Sequence, residues 1–244
     1  MKLLWVIVWR ELASYSKAPL TYLFLMAFVA LSGILTFYPG DFYARNQADL
    51  MPFFNIQPWL YLFLLSALAM RLWAQERQYG SIELLMTLPL GDFARVTGKF
   101  IAAWIIAGLA LALTFPLVLT VNYLGSPDNL AILVGYLGSW LLAGAYLAIG
   151  SCMSALAKQQ MVAFVLTLLV CLLFMGSGLA PVRDTLLHWA PMWLVDGVAG
   201  LSLLERYQAI SKGLVDAGDV LYFISLIAAW LSATAVVIDL NKAH

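Results

Sequence analysis

Charges interrupt an otherwise apolar chain at regular intervals, and their positions mark out its elements. Leu4, Trp5, Val8, Leu12 and Tyr15 recur at three-to-four spacing, flanked by Lys2, Arg10 and Glu11. That stripe predicts an amphipathic helix over 2–16, too short and too charged to span, of the kind that lies in a membrane interface. The alternative is a plain cytoplasmic extension of the first span. Pro19 suits the start of a new helix. Six stretches then lack Asp, Glu, Lys and Arg: 18–40, 50–70, 100–127, 129–157, 159–182 and 220–238, of 23, 21, 28, 29, 24 and 19 residues. A spanning helix needs roughly 20 residues, with about 17–25 usual. Backbone in lipid must satisfy its own hydrogen bonds, and the ~10-residue alternating segments of barrel strands are not found. The expected fold is an all-α integral membrane protein with six transmembrane helices.

The connecting segments add detail. Pro39, Gly40, Asp41, Asn46, Asp49 and Pro52 predict an irregular outer loop over about 39–54, too short for a soluble domain. The second span is expected from near Gln57 to Trp73, with Arg71 either snorkelling to the interface or serving an intramembrane ion site. Thr114 and Pro116 predict a kink in the third span. Residues 122–129, NYLGSPDN, form an outer turn. The fourth span carries Gly135, Gly138, Ser139, Ala143, Gly144, Ala148 and Gly150, small residues that allow close helix approach, within one subunit or between two. Lys158, Gln159 and Gln160 make a short inner turn, and the fifth span is expected to run to about Ala180. Over 181–216 charges alternate with short apolar patches, which predicts two half-inserted or interfacial outer helices, with Trp189, Trp193 and Tyr207 at interfacial depth. The last span ends at Asp239.

Residues 74–92, AQERQYGSIELLMTLPLGD, stand apart. Gly80 breaks one helix, Ser81 caps another, and Glu83 in its first turn suits the helix dipole. Ile82, Leu84, Leu85 and Leu88 give it an apolar side before Pro89 and Gly91 end it. A helix this short needs something to dock on. It is either a linker on the lipid surface or a moving element that fits a groove on a cytoplasmic partner.

Composition agrees with the membrane reading. Of 244 residues 64% are hydrophobic and 11% charged, against about 25% charged in a soluble domain. An ordinary cytosolic enzyme, a nucleic-acid binder and a disordered protein are excluded. Thirteen basic and 13 acidic residues leave no net charge, so no nucleic-acid partner is expected. With the N-terminus inside, nine basic residues are cytoplasmic (Lys2, Arg10, Lys17, Arg71, Arg77, Arg95, Lys99, Lys158, Lys242) and four are outside (Arg45, Arg183, Arg206, Lys212). The positive-inside rule therefore puts both termini in the cytoplasm. Arg10 and Glu11 interrupt any signal-peptide core, so the first span is expected to be an uncleaved anchor. Cys152 and Cys171 fall inside spans and read as packing residues.

Catalytic motifs do not occur. The sequence has no G-x-x-x-x-G-K-[ST] loop and no G-x-S-x-G, and its histidines are His188 and His244 alone. No Asp or Glu falls at mid-depth in a span, which argues against an ion-coupled carrier. Glu205 and Asp196 suit surface solvation, the alternative being a membrane hydrolase. The pattern is that of a permease driven by a partner.

Residues 76–89, ERQYGSIELLMTLP, resemble the permease subunits of ABC-2 (type-2 export fold) transporters, which carry E-[KR]-x-x-G-T-x-E-x-L-x-x-x-P after the second span. Glu76, Arg77, Gly80, Glu83 and Pro89 match, the pattern's leucine falls on Leu85 with Leu84 directly before it, and Ser81 replaces the usual Thr while keeping the hydroxyl. The segments 52–64, 98–102, 135–150 and 211–223 resemble the gliding-motility-associated branch. The resemblance implies an elbow helix over 1–17 and a single transmembrane domain over 18–240. Within that domain it implies a coupling helix at about 76–91 and outer re-entrant helices at about 181–216. It further implies two copies of a cytoplasmic ABC ATPase, which carry the ATP and Mg²⁺, with no cofactor and no enzymatic activity on this chain. A second permease subunit, identical or related, is expected, in a bacterial inner membrane. Two other functions stay open: an ATPase-driven mechanotransmitter acting on an extracytoplasmic auxiliary protein without translocation, and a stand-alone carrier or membrane enzyme.

Overall fold

The computed structural model describes residues 2–38, 49–80, 91–188, 191–214 and 216–240. These residues form helices and turns, with no strand among them. In chain order the helices are α1 (Lys2–Lys17), α2 (Pro19–Phe37), α3 (Met51–Ala69), α4 (Ala74–Gln78), α5 (Asp92–Ala112) and α6 (Phe115–Leu124). They continue as α7 (Asn129–Leu156), α8 (Gln160–Gly176), α9 (Ala180–Leu187), α10 (Met192–Gly200), α11 (Leu203–Ser211) and α12 (Ala217–Leu240).

Five helical segments are long and apolar enough to cross a membrane: Pro19–Phe37, Met51–Gln78, Phe93–Leu124, Asn129–Leu156 and Ala217–Leu240. The fifth charge-free window carries a shorter helix than its length suggests. α8 has 17 residues and stops at Gly176, where Ser177 and Gly178 turn the chain. Gly178 has no side chain because the Ser202 hydroxyl occupies that space. A neutral turn left no mark in the charge pattern.

α7 is the axis of the bundle. Its N-terminus is capped by Asp128, whose carboxylate accepts from the Leu130 and Ala131 amides at 2.9 and 3.2 Å. Small residues along it admit neighbours on several sides. A Cβ on Gly138 would meet Ile210 of α11 at 2.6 Å, and one on Gly150 would collide with the Ala69 methyl of α3. These small residues thus serve packing within one subunit. Between α5 and α6 the helix breaks at Leu113–Thr114, as Pro116 dictates, since proline cannot donate to the preceding turn. The Thr114 hydroxyl lies 2.9 Å from that of Tyr136 on α7.

Three further expectations are corrected. α3 begins at Met51, not near Gln57, because Pro52 sits in its first turn, where no amide is needed. At the end opposite α1 there are three short helices, α9 to α11, and not two. Nor is Tyr207 interfacial. It is fully buried, its hydroxyl 2.9 Å from that of Ser139 on α7 and donating to the Phe54 carbonyl of α3 at 3.0 Å. Trp193 is exposed. The Arg206 guanidinium pairs with Asp219 of α12 at 2.6 Å and lies over the Tyr222 ring.

α1 is amphipathic, with a register its sequence only half reveals. Ile7, Val8 and Tyr15 are buried, while Trp5, Val6 and Trp9 are exposed. Ile7 sits where a side chain on Gly98 of α5 would stand, 2.8 Å from that virtual Cβ.

Candidate functional site

The site lies where α1, the α3–α4 junction and α5 meet. α3 ends at Ala69, and residues 70–73 form turns before α4 begins. Such a break orphans backbone groups, and buried orphans are costly. Ser154 of α7 takes up three of them. Its hydroxyl oxygen accepts from the Trp73 and Ala74 amides, both at 3.0 Å, and donates to the Met70 carbonyl at 3.0 Å. The Trp73 indole donates to the Ser151 hydroxyl at 3.1 Å. The break is therefore pinned to the bundle axis.

From that anchor α4 projects Glu76 onto Lys99. The ammonium of Lys99 donates to Glu76 at 2.9 Å and to Glu11 of α1 at 3.4 Å. Its side chain is only 4% exposed, and the Trp73 ring lies 5.5 Å from the ammonium. A buried ammonium without anions would be expensive, and here two carboxylates and an aromatic face supply its surroundings. Glu11 also accepts from Arg10 at 2.7 Å. One ammonium thus ties α1, α4 and α5 together.

A cleft of ~210 Å³ opens beside this cluster, with Glu11, Tyr15, Arg71, Glu76 and Lys99 among its walls. Burial first, and the Glu11 carboxylate second, push the Tyr15 phenol above its ordinary range, so it stays a neutral donor. Arg71 is not aimed into the bundle. It borders this cleft, its Nε donating to Gln75 at 2.8 Å.

The residues singled out in the sequence separate into two groups. Glu76 and Arg77 are on α4, Glu76 in the ion cluster and Arg77 half-buried. Gly80 ends the element at φ +69, a left-handed conformation that glycine adopts freely. Ser81, Glu83, Leu84 and Pro89 lie outside the described residues. The root of the expected coupling helix is therefore described, not the helix itself. Sequence reasoning missed Lys99, Glu11, Trp73 and Ser154 as members of the site. Lys99 showed only as the charge bounding a span, because its partners are 23 and 88 residues away.

This arrangement holds elements in register. Among the described residues no group of three or more His, Cys, Asp or Glu side chains could hold a metal ion. The buried cysteines, Cys152 and Cys171, are free thiols.

The family described as ABC-2 family transporter protein matches residues 5–192, well over half of the chain, and the chain belongs to that family. No curated protein matches it. Membership and the long apolar helices together make it a multi-pass membrane protein, the membrane component of an ABC transporter and not its catalytic subunit.

Proposed function

We propose that this chain is the permease subunit of an ATP-driven export-type complex, energised by a separate ATPase through residues 76–91. The observation that carries the proposal is the Lys99 cluster, backed by the Ser154 anchor. A push on the segment after α4 reaches Glu76. From there it passes through Lys99 to α5 and α1, and through Trp73 and Ser154 to α7. In this reading α1 is the elbow helix, residues 76–91 include the coupling helix, and α9 to α11 form the outer re-entrant segment. α8 is the sixth span, since 17 residues rise about 25 Å, the lower limit for crossing. Both termini are cytoplasmic, in a bacterial inner membrane.

Two ATPase copies and a second permease, identical or related, complete the complex. Nucleotide and Mg²⁺ are assigned to the ATPase, because this sequence has no phosphate-cradling loop. The segments 52–64, 98–102, 135–150 and 211–223 support the gliding-motility-associated branch. Mild extraction from native membranes followed by mass spectrometry is the test. A stoichiometric ATPase is expected, and with it Glu83→Ala should abolish the permease's stimulation of ATP hydrolysis. Recovery of this chain alone would defeat the proposal.

The mechanotransmitter reading has one supporting observation. Tyr207 fastens α11 to α3 and α7, and Arg206 fastens it to α12. Span motion would therefore reach the outer face directly. Nucleotide-dependent flux of a substrate in the reconstituted complex decides against this reading.

A further inference from the structure

The polar cleft at the α1 end and an apolar groove farther along α2 lie one after the other along one helical face, a seam that runs from charged to apolar surface. Ala18, the residue just before α2, lines the cleft, while Tyr22, Leu25 and Val29 of α2 line the groove with Met26 and Ala30. Positions 18, 22, 25 and 29 share one helical face. Lys99 of α5 borders the cleft, and Leu113, just past the end of α5, borders the groove. Between them on that face Ala103, Ile106 and Ala110 are buried in the core, so α2 supplies the open wall of the seam. The groove has a volume of ~670 Å³. From Ala18 to Ala30 the helix rises about 18 Å, close to the roughly 15 Å of one bilayer leaflet's hydrocarbon.

The cleft contributes charge of both signs. Lys99 is engaged by Glu76 and Glu11. Arg71 spends its Nε on Gln75 and forms no ion pair among the described residues. The terminal nitrogens of its planar fork suit a phosphate. Two cations and two carboxylates in one small cleft suit a ligand that itself carries both signs.

We propose that this seam binds a glycerophospholipid with a phosphate–amine headgroup. The phosphate pairs with Arg71, the amine turns toward Glu11 and Glu76, and one acyl chain follows α2 from Tyr22 to Ala30. The site belongs to this chain alone and stands whether or not the complex translocates a substrate.

The test is native mass spectrometry of the full, delipidated chain in detergent. It is titrated with chain-matched phosphoethanolamine lipid, phosphoglycerol lipid and diacylglycerol, and with glycerophosphoethanolamine lacking chains. Phosphoethanolamine lipid is expected to bind about tenfold better than diacylglycerol, the worth of one charge-assisted hydrogen bond. Arg71→Gln should abolish that preference, and Val29→Trp, which fills the groove, should weaken both lipids alike. Equal retention of phosphoethanolamine lipid and diacylglycerol overturns the site. So does an unchanged preference in Arg71→Gln, or chainless headgroup binding as well as the lipid. Phosphoglycerol lipid binding equally well overturns the zwitterion assignment. Should Arg71→Gln not fold, Val29→Trp decides by itself: unchanged retention of phosphoethanolamine lipid overturns the proposal.

Discussion

The Trp104 indole donates to the Trp140 carbonyl at 2.8 Å, and the Trp140 indole donates back to the Trp104 carbonyl at 3.3 Å. The two rings stack at 4.2 Å between centroids. Gly108 and Gly144 make room, since a Cβ on either would stand 3.0 Å from the opposing indole nitrogen. α5 and α7 are thereby clasped, and a displacement of α5 at Lys99 moves both. Trp140→Phe is expected to lower stability by about 1–2 kcal/mol, one hydrogen bond plus part of a stack. A drop in the thermal unfolding midpoint of the detergent-solubilised chain reads this out.

Lys99→Met should leave Glu76 and Glu11 facing each other without their shared cation. Breaking a fully buried pair costs about 3–5 kcal/mol. Both carboxylates keep some solvent here, so about 2 kcal/mol is expected. The double change Lys99→Met with Glu76→Gln should be less harmful than Lys99→Met alone. A double mutant at least as unstable as the single one would argue against the ionic account.

Ser154→Ala removes the acceptor for two amides and the donor to Met70. A cost of about 2 kcal/mol is expected, from backbone groups left buried and unpaired. Hydrogen exchange should rise at Trp73 and Ala74 before it rises elsewhere in α3. Uniform loss of protection would instead mean the break is held by packing.

Some of this was legible in the sequence and some was not. The long spans showed because lipid-facing and core-facing positions are both apolar, so a charge-free run is a direct trace of burial in a membrane. The α5–α6 break was legible because Pro116 lacks the amide a continuous helix requires. The early end of α8 was not, since Gly176, Ser177 and Gly178 turn the chain with no charge to mark it. Tyr207 suggested interfacial depth because a tyrosine has one polar tip. Only the fold shows that tip meeting Ser139 and Phe54 inside the bundle. Lys99 looked like a boundary charge for a related reason: one-dimensional spacing does not report partners on other helices.

Tyr207→Phe should therefore act as a core change. Losing the contacts to Ser139 and Phe54 is expected to cost about 1–2 kcal/mol and to expose α11 to limited proteolysis while the spans stay protected. If α11 resists proteolysis as the parent does, the hydroxyl is not what holds it.

At Gly150 the neighbouring Ala69 methyl occupies the place of a side chain. Gly150→Ala should wedge α3 from α7 at a cost of about 1–3 kcal/mol. Ala69→Gly in the same molecule should recover much of it. Failure of that rescue would locate the strain at Thr167 instead, the other side chain that a Cβ on Gly150 would meet.

The break at Leu113–Thr114 also sets a mechanical ratio. α5 has 21 residues and α6 has 10, arms of roughly 30 and 15 Å. The Thr114–Tyr136 contact sits at the joint between them. In the proposed permease, a tilt of α5 and α6 as one body about that level would sweep the α6 tip through half the distance covered at the start of α5, and in the opposite direction: a two-to-one reduction gear with a reversed output.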